Sequence, residues 1–255
     1  MNIGDALQQS GIHNSEKEIL LSRILQRDRS WIVAHPEYIL KQREHDILQE
    51  WMYRRQEGEP LAYITGTKEF YGRDFFVDRR VLIPRPSTEG LIDLTLDFLK
   101  SGQEESRTID TGIVAQSFVY GDTSGVHTIV DIGTGSGCIG VTLALARPDL
   151  RIIALDISED ALDVARINAE KHGVSSSIEF REGDLLSPIQ NLKDPFVIVS
   201  NPPYVKNDAL LDREVLFEPS AALFAGPTGQ ELVEQLMEQA QKHHECRGLV
   251  IEYAS

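Results

Sequence analysis

Cysteine is scarce in this chain: there are two, Cys138 and Cys246, in 255 residues. They show no metal-ligand spacing. Cys138 lies in an apolar helical pattern, which predicts a buried thiol. A reducing cytoplasm fits this usage. Long apolar runs are also missing, and none reaches the length that a bilayer span requires. The first residues, MNIGDALQQSGIHNSEKE, have no basic stretch followed by an apolar core, so no signal peptide is predicted. Positive charge is in deficit. Lys and Arg total 25 against 40 Asp and Glu, a formal net charge of −15. Such a surface disfavours nonspecific contact with a phosphate backbone. The deficit is uneven: residues 1–58 carry 8 Lys+Arg against 9 Asp+Glu, and the remainder 17 against 31. A face that met a polyanion would belong to the N-terminal end. The plainer reading is that an acidic surface is a solvated one.

What is present suggests one large domain preceded by a small one. Residues 14–27, NSEKEILLSRILQR, have helical periodicity, and Ser15 and Glu18 have capping-box spacing. EHDILQEWMYRRQEG, 44–58, predicts a second helix ended by Gly58 and Pro60. Trp31 and Trp51 are expected in the core of this bundle. Residues 59–87 change to aromatic and β-branched residues punctuated by Gly66 and Gly72, as in a β-hairpin. STEGLIDLTLDFLK reads as a helix with Ser87 or Thr88 near its cap. Residues 101–127 are polar and Gly/Ser-rich and read as a surface insertion or mobile linker.

From residue 128 strands and helices alternate: TIVDIG, SGCIGVTLALAR, RIIALDI, SEDALDVARINAEKHG, SIEFREGD, PFVIVSN, TGQELVEQLMEQAQKHH and GLVIEY. This order predicts a Rossmann-like α/β domain over 88–255, a parallel sheet with helices on both faces. The last predicted strand falls at the end of the sequence, so further C-terminal strands are expected to be missing.

The turn VDIGTGSGCIG, 130–140, joins the first of these strands to its helix. Glycine lets the chain turn tightly and lets a ligand approach the main chain. Gly135, Gly137 and Gly140 fit G-x-G-x-x-G, and Asp156 follows Gly135 by 21 residues, where a carboxylate can meet a ribose hydroxyl. The pattern suits a nicotinamide dinucleotide and S-adenosylmethionine equally, because both carry an adenosine. A glycine turn that only packs helix on strand would look similar. Asp184, after the third strand, is placed to accept from an adenine amine or to cap the following turn.

The fourth strand delivers Asn201-Pro202-Pro203-Tyr204. A planar NH₂ group is a poor nucleophile because its lone pair is delocalised. The Asn201 oxygen and the Pro202 carbonyl can each accept one of its N–H bonds, and the stiff prolines fix the direction. Tyr204 can pack flat on the planar group. Positive charge that grows on nitrogen during alkylation is then stabilised by both acceptors. A turn that merely ends a strand is the structural alternative.

On these motifs the chain resembles the HemK-type peptide-release-factor glutamine methyltransferases. VDIGTGSGCIG, ALDIS, GDLLSP and SNPPYV match that family's motifs in order. EGEPLAYITGTKEFYG, VLIPRPSTE and EVLFEPSAALFAGPTG resemble its flanking segments, and the likeness runs from about residue 40 to 255. The resemblance implies methylation of the glutamine amide in the Gly-Gly-Gln loop of class I release factors, with S-adenosylmethionine as donor. It implies that Gly133, Thr134, Gly135, Ser136, Gly137 and Asp156 hold the donor. Asn201, Pro202, Pro203 and Tyr204 would hold the glutamine, and Leu185 stands where relatives can place an aromatic beside adenine. Ser87 replaces an acidic residue expected between Pro86 and Thr88, and the 101–127 insertion is longer than usual. The implied enzyme is a cytoplasmic monomer, with residues 1–58 recognising the protein substrate and with no membrane, nucleic acid or metal partner.

Three other readings compete. A nucleic-acid amino methyltransferase faces the same chemical problem, but the acidic charge and the lack of a basic, aromatic-rich segment argue against it. A non-catalytic release-factor binder would bind its partner without donor turnover. A dehydrogenase would leave Asn201 to Tyr204 unexplained. The HHEC run, 243–246, reads as a helix end with histidines beside the carbonyl dipole. Arg85 is either a substrate contact or half of a salt bridge.

Overall fold

The computed structural model describes residues 1–110 and 116–253. Contacts divide them into two compact units.

The first unit holds Met1–Thr67 and Leu211–Phe217. Its helices are α1 (Ile3–Gln8), α2 (Asn14–Leu25), α3 (Arg29–Ala34), α4 (Gln42–Gln56) and α5 (Leu61–Thr65). Leu20, Leu21, Ile32, Leu48 and Met52 form a buried core, against which Trp31 and Trp51 pack. The cap of α2 differs from the expected Ser15 and Glu18 pair. Helix α2 begins at Asn14, so the cap falls two residues earlier, on His13, whose N–H donates to Glu16 at 3.0 Å. Glu18 is left free to pair with Arg29 at 2.6 Å. A buried Lys17 is satisfied by the carbonyls of Leu7 and Gln9 and by Asn14, which offset its desolvation.

The second unit holds Lys68–Leu210 and the chain from Glu218 onward. A hairpin, β1 (Thr67–Phe70) and β2 (Arg73–Phe76), turns at Tyr71 and Gly72. There follow α6 (Pro86–Ser101), β3 (Gln103–Asp110), β4 (Gln116–Asp122), β5 (Thr128–Ile132), α7 (Cys138–Ala146), β6 (Arg151–Asp156) and α8 (Glu159–Lys171). Next are β7 (Ile178–Glu182), β8 (Phe196–Ser200), β9 (Val205–Lys206), β10 (Phe224–Gly226), α9 (Glu231–Lys242) and β11 (Cys246–Tyr253). Among the described residues the main sheet has seven strands in the order β3-β4-β11-β8-β5-β6-β7. The run from β11 to β7 is parallel.

Alternation along each strand feeds two cores. Ile129, Ile152, Val197 and Val250 face α6, α7 and α8, while Val130, Ile153, Ile198 and Leu249 face α9. Cys138 lies buried in the first, and burial pushes its thiol up to about 12, so it is an inert packing group.

The polar segment expected as a surface insertion behaves otherwise. Residues 103–110 and 116–122 form an antiparallel pair, and β4 also pairs antiparallel with β11, from Gly248 opposite Gly121 to Tyr253 opposite Gln116. The edge of β11 carries backbone donors and acceptors that need partners, and the hairpin supplies them. Strand β11 is therefore an interior strand. Residues 111–115 of the expected insertion lie outside the described residues.

Candidate active site

The chain runs from β5 to β6 and β7 on one side, then returns to β8 on the other side of β5. Such a reversal opens a crevice at the carboxyl ends of the strands. Ile132 pairs with Ser200 across β5 and β8, so Gly133 and Asn201 leave the sheet side by side. The buried Ser200 hydroxyl donates to the Ile132 carbonyl at 2.8 Å and pins the two exits together.

A cavity of about 400 Å³ occupies this edge, within the range of small-molecule sites. Gly133, Gly135, Asp156, Asp184, Leu185, Asn201, Pro202 and Pro203 line it. The remaining sequence-predicted residues support these. Thr134 and Ser136 are buried, and Thr134 donates to Asp131 at 2.6 Å. Gly137 lets α7 approach α8, since a Cβ there would stand 3.0 Å from that of Ala165. Tyr204 is half-buried outside the lining, with its hydroxyl 3.5 Å from Glu252.

Fit to an adenosine-bearing ligand can be judged on the turn itself. A Cβ built on Gly133 meets nothing within 4 Å, and one on Gly135 meets only the Gly133 carbonyl, at 3.9 Å. The face of the turn is thus open, and a ligand can lie against its backbone. Asp156 is held by two N–H groups, Gly135 at 2.9 Å and Ser158 at 3.0 Å. Burial raises its carboxyl above the usual range, against the pull of those bonds. Leu185, buried at the cavity wall, has φ +46°, a left-handed conformation that is strained for leucine. The residues present fit S-adenosylmethionine: Asp156 would take the ribose hydroxyls, the open glycine turn would meet the chain, and Leu185 would give an apolar wall to the base.

At the other wall, the Asn201 Nδ2 donates to the Thr88 hydroxyl at 2.9 Å. The Asn201 oxygen therefore remains an acceptor beside the Pro202 carbonyl. Arg85 forms a salt bridge with buried Glu218 at 2.6 Å, and Glu218 also accepts from the Ile83 N–H at 3.0 Å. Of the two readings of Arg85, the structure shows the ion pair.

These features find their counterpart in known proteins. Residues 3–66 match the PrmC N-terminal domain, and residues 113–224 match the Methyltransferase small domain. A release factor glutamine methyltransferase from Koribacter versatilis is 39% identical over 229 residues, covering 89% of this chain and 73% of that one. The chain belongs to the release factor glutamine methyltransferase family. A second member, from Chlorobaculum tepidum, is 40% identical over 86% of this chain and 70% of its own. A bifunctional methyltransferase from Rickettsia bellii is 35% identical over 96% of this chain, which spans 46% of that longer protein. The chain is thus a methyltransferase that uses S-adenosylmethionine.

Several residues of the site were not anticipated. Asp131 is fully buried in β5, and Thr134 and the Gly140 N–H, at 3.0 Å, both donate to its Oδ2. Its Oδ1 is buried without a partner among the described residues, and burial pushes the carboxyl up to about 7. A charged residue inside the apolar run TIVDI was the available signal. Arg80 also lines the cavity, forked onto Asp78 at 2.7 Å. Glu252, fully buried in β11, stands within reach of Ser87 and Tyr204. His243, in the HHEC run, ends α9 and bonds the Ile189 carbonyl at 3.1 Å.

Proposed function

We propose that this chain methylates the side-chain amide nitrogen of the glutamine in the Gly-Gly-Gln motif of class I release factors. When bound, S-adenosylmethionine supplies an electrophilic methyl group. The observation that carries the reading is the engagement of the Asn201 NH₂ by Thr88, which leaves Oδ1 as an acceptor at the cavity wall. One N–H of the target amide is held by that oxygen and the other by the Pro202 carbonyl, whose direction the two prolines stiffen. Tyr204 packs against the amide plane. As charge develops on the nitrogen, the same two acceptors stabilise it. The alkylated nitrogen becomes acidic enough to shed a proton without a strong base. At the donor side, Gly133, Gly135, Asp156, Asp184 and Leu185 are the proposed contacts, with Thr134, Ser136 and Gly137 shaping the turn behind them.

Residues 1–58, nearly neutral in charge, are proposed to meet the protein substrate, while the acidic remainder carries the chemistry. Protection of residues 1–58 from hydrogen exchange on adding a release factor checks this division. The reaction itself is tested with methyl-labelled S-adenosylmethionine and a release factor, with its Gly-Gly-Gln glutamine intact or replaced. Label that disappears with that glutamine supports the reading. Label that persists elsewhere on the protein, or that passes to nucleic acid instead, overturns it.

A further inference from the structure

The Asn201 amide is one end of a buried polar chain that the methyl transfer itself does not explain. Its Nδ2 donates to Thr88 Oγ1 at 2.9 Å, and Thr88, in the first turn of α6, is 2% exposed. A hydroxyl that accepts from Asn201 keeps its own proton to give. Glu252, near the end of β11 and fully buried, is bonded by the neighbouring Ser87, and its charge is felt at Thr88. Ser87 Oγ donates to Glu252 Oε1 at 2.8 Å, and Tyr204 approaches the same oxygen at 3.5 Å. Burial raises this carboxyl above the usual range, while Ser87, Thr88 and Tyr204 favour its charged form. Oε2 is buried with no hydrogen bond of normal geometry among the described residues. A carboxylate so placed costs stability, so its presence calls for another reason.

The reason lies in the two ends of an asparagine amide. They are alike in size, but a flipped Asn201 would present its NH₂ to the target NH₂, donor against donor. A carboxylate has only acceptors. Its negative charge favours the Thr88 hydroxyl turned with its proton to the carboxylate side, which leaves the Thr88 lone pairs for Asn201 Nδ2. We propose that Glu252 is a positioning residue that acts through Thr88 to keep the Asn201 oxygen turned to the cavity. The proposal rests on the reading that this oxygen accepts from the target amide. A group at 252 that can donate would let the Thr88 proton turn to Asn201 Oδ1, and the flipped amide would become available.

Three variants separate this role from packing. Glu252→Gln supplies a donor, Thr88→Val removes the relay at nearly constant shape, and Thr88→Ser keeps it. In steady-state methylation of a release factor, Glu252→Gln and Thr88→Val should each lower kcat about 10–100-fold, with KM and donor Kd within about threefold of wild type. Thr88→Ser should restore most of the rate, and the double variant should be little worse than either single one. A readout free of catalysis is the ¹⁵N–¹H₂ pair of the Asn201 side chain, followed by NMR in the chain alone. One of its protons should exchange slowly in wild type and Thr88→Ser, and lose that protection in Glu252→Gln and Thr88→Val. Unchanged Asn201 signals in Glu252→Gln and Thr88→Val overturn the proposal whatever the rates. So does an equal loss of melting temperature and donor affinity in all three variants, Thr88→Ser included. Failure of the wild-type chain to methylate a release factor would sink the functional reading instead, and the NMR test would still decide the role of Glu252. Should Glu252→Gln not fold, Glu252→Asp takes its place, since it keeps the charge but withdraws it from Thr88.

Discussion

Asp156 Oδ2 accepts the backbone N–H of Gly135 at 2.9 Å, so the carboxylate proposed for the ribose also shapes the glycine turn. The two walls of the donor site are therefore coupled through one side chain.

Replacing Asp156 by Ala removes the acceptor for the ribose hydroxyls and releases Gly135 together. Donor affinity should fall about 10–100-fold, equivalent to roughly 1.5–3 kcal/mol. Asp156→Asn, which keeps one acceptor for Gly135, should lose less than Asp156→Ala. Calorimetric titration with S-adenosylmethionine measures both, and equal affinities for Asp156→Ala and wild type would remove Asp156 from the site.

Asn201→Ala should slow single-turnover methylation about 10²–10³-fold, the usual cost of one preorganised partner. Asn201→Asp keeps an acceptor but loses the N–H that reaches Thr88. Its negative charge favours the cationic donor in the ground state. The expected result is a lower kcat with donor affinity kept or raised. Near-normal rates in Asn201→Ala would reduce the Asn-Pro-Pro-Tyr turn to a structural role.

Asp131 makes stability depend on pH. Its carboxyl rises from 3.8 to about 7 in the folded chain, chiefly through burial. The folded chain thus holds this proton more tightly than the unfolded chain. The associated stability is complete below about 4, declines as pH rises, and is gone once pH passes about 7. Asp131→Asn removes the titration while leaving one acceptor for Thr134 and Gly140. Urea midpoints across this window should fall less steeply with pH in Asp131→Asn than in wild type. Parallel slopes would show that Asp131 does not titrate there.

Gly140 sits inside α7, where Ala would ordinarily stabilise a helix by about 1 kcal/mol. Here an added Cβ would meet Asp131 Oδ2 at 3.0 Å and Ile152 Cγ2 at 3.3 Å. Both neighbours are buried and hemmed in, so the steric cost, about 1–3 kcal/mol, should outweigh the helical gain. Denaturant unfolding of Gly140→Ala should show a net loss of stability, and a gain would mean that the strand and helix separate easily.

Much of the site was readable because its signals are local. The glycine turn, the carboxylate after the next strand and the Asn-Pro-Pro-Tyr turn each lie within a few residues of a β-branched run. The parallel strands from β5 to β8 carry enough buried alternation to be found one at a time. What escaped depends on distant partners. The hairpin of β3 and β4 is polar in sequence, and its reason to exist is the edge of β11, more than a hundred residues later. Glu252 reads as a surface charge until β11 is known to be interior and Ser87 to reach it. His13 could take the helix cap from Ser15 because Glu16 follows it by three residues just as Glu18 follows Ser15, so spacing alone does not choose between the two pairs.

That hairpin also sets a clock on synthesis. In the finished sheet β4 has two neighbours, β3 and β11. Everything from β5 to β8 emerges from the ribosome before β11 does, and at the usual rate of elongation the wait lasts on the order of ten seconds. During that interval one side of β4 is an open strand edge, and once β8 has emerged the edge that β11 will cover is open as well. The nascent chain thus carries two exposed templates for strand pairing, and one late strand, β11, closes both of them at once.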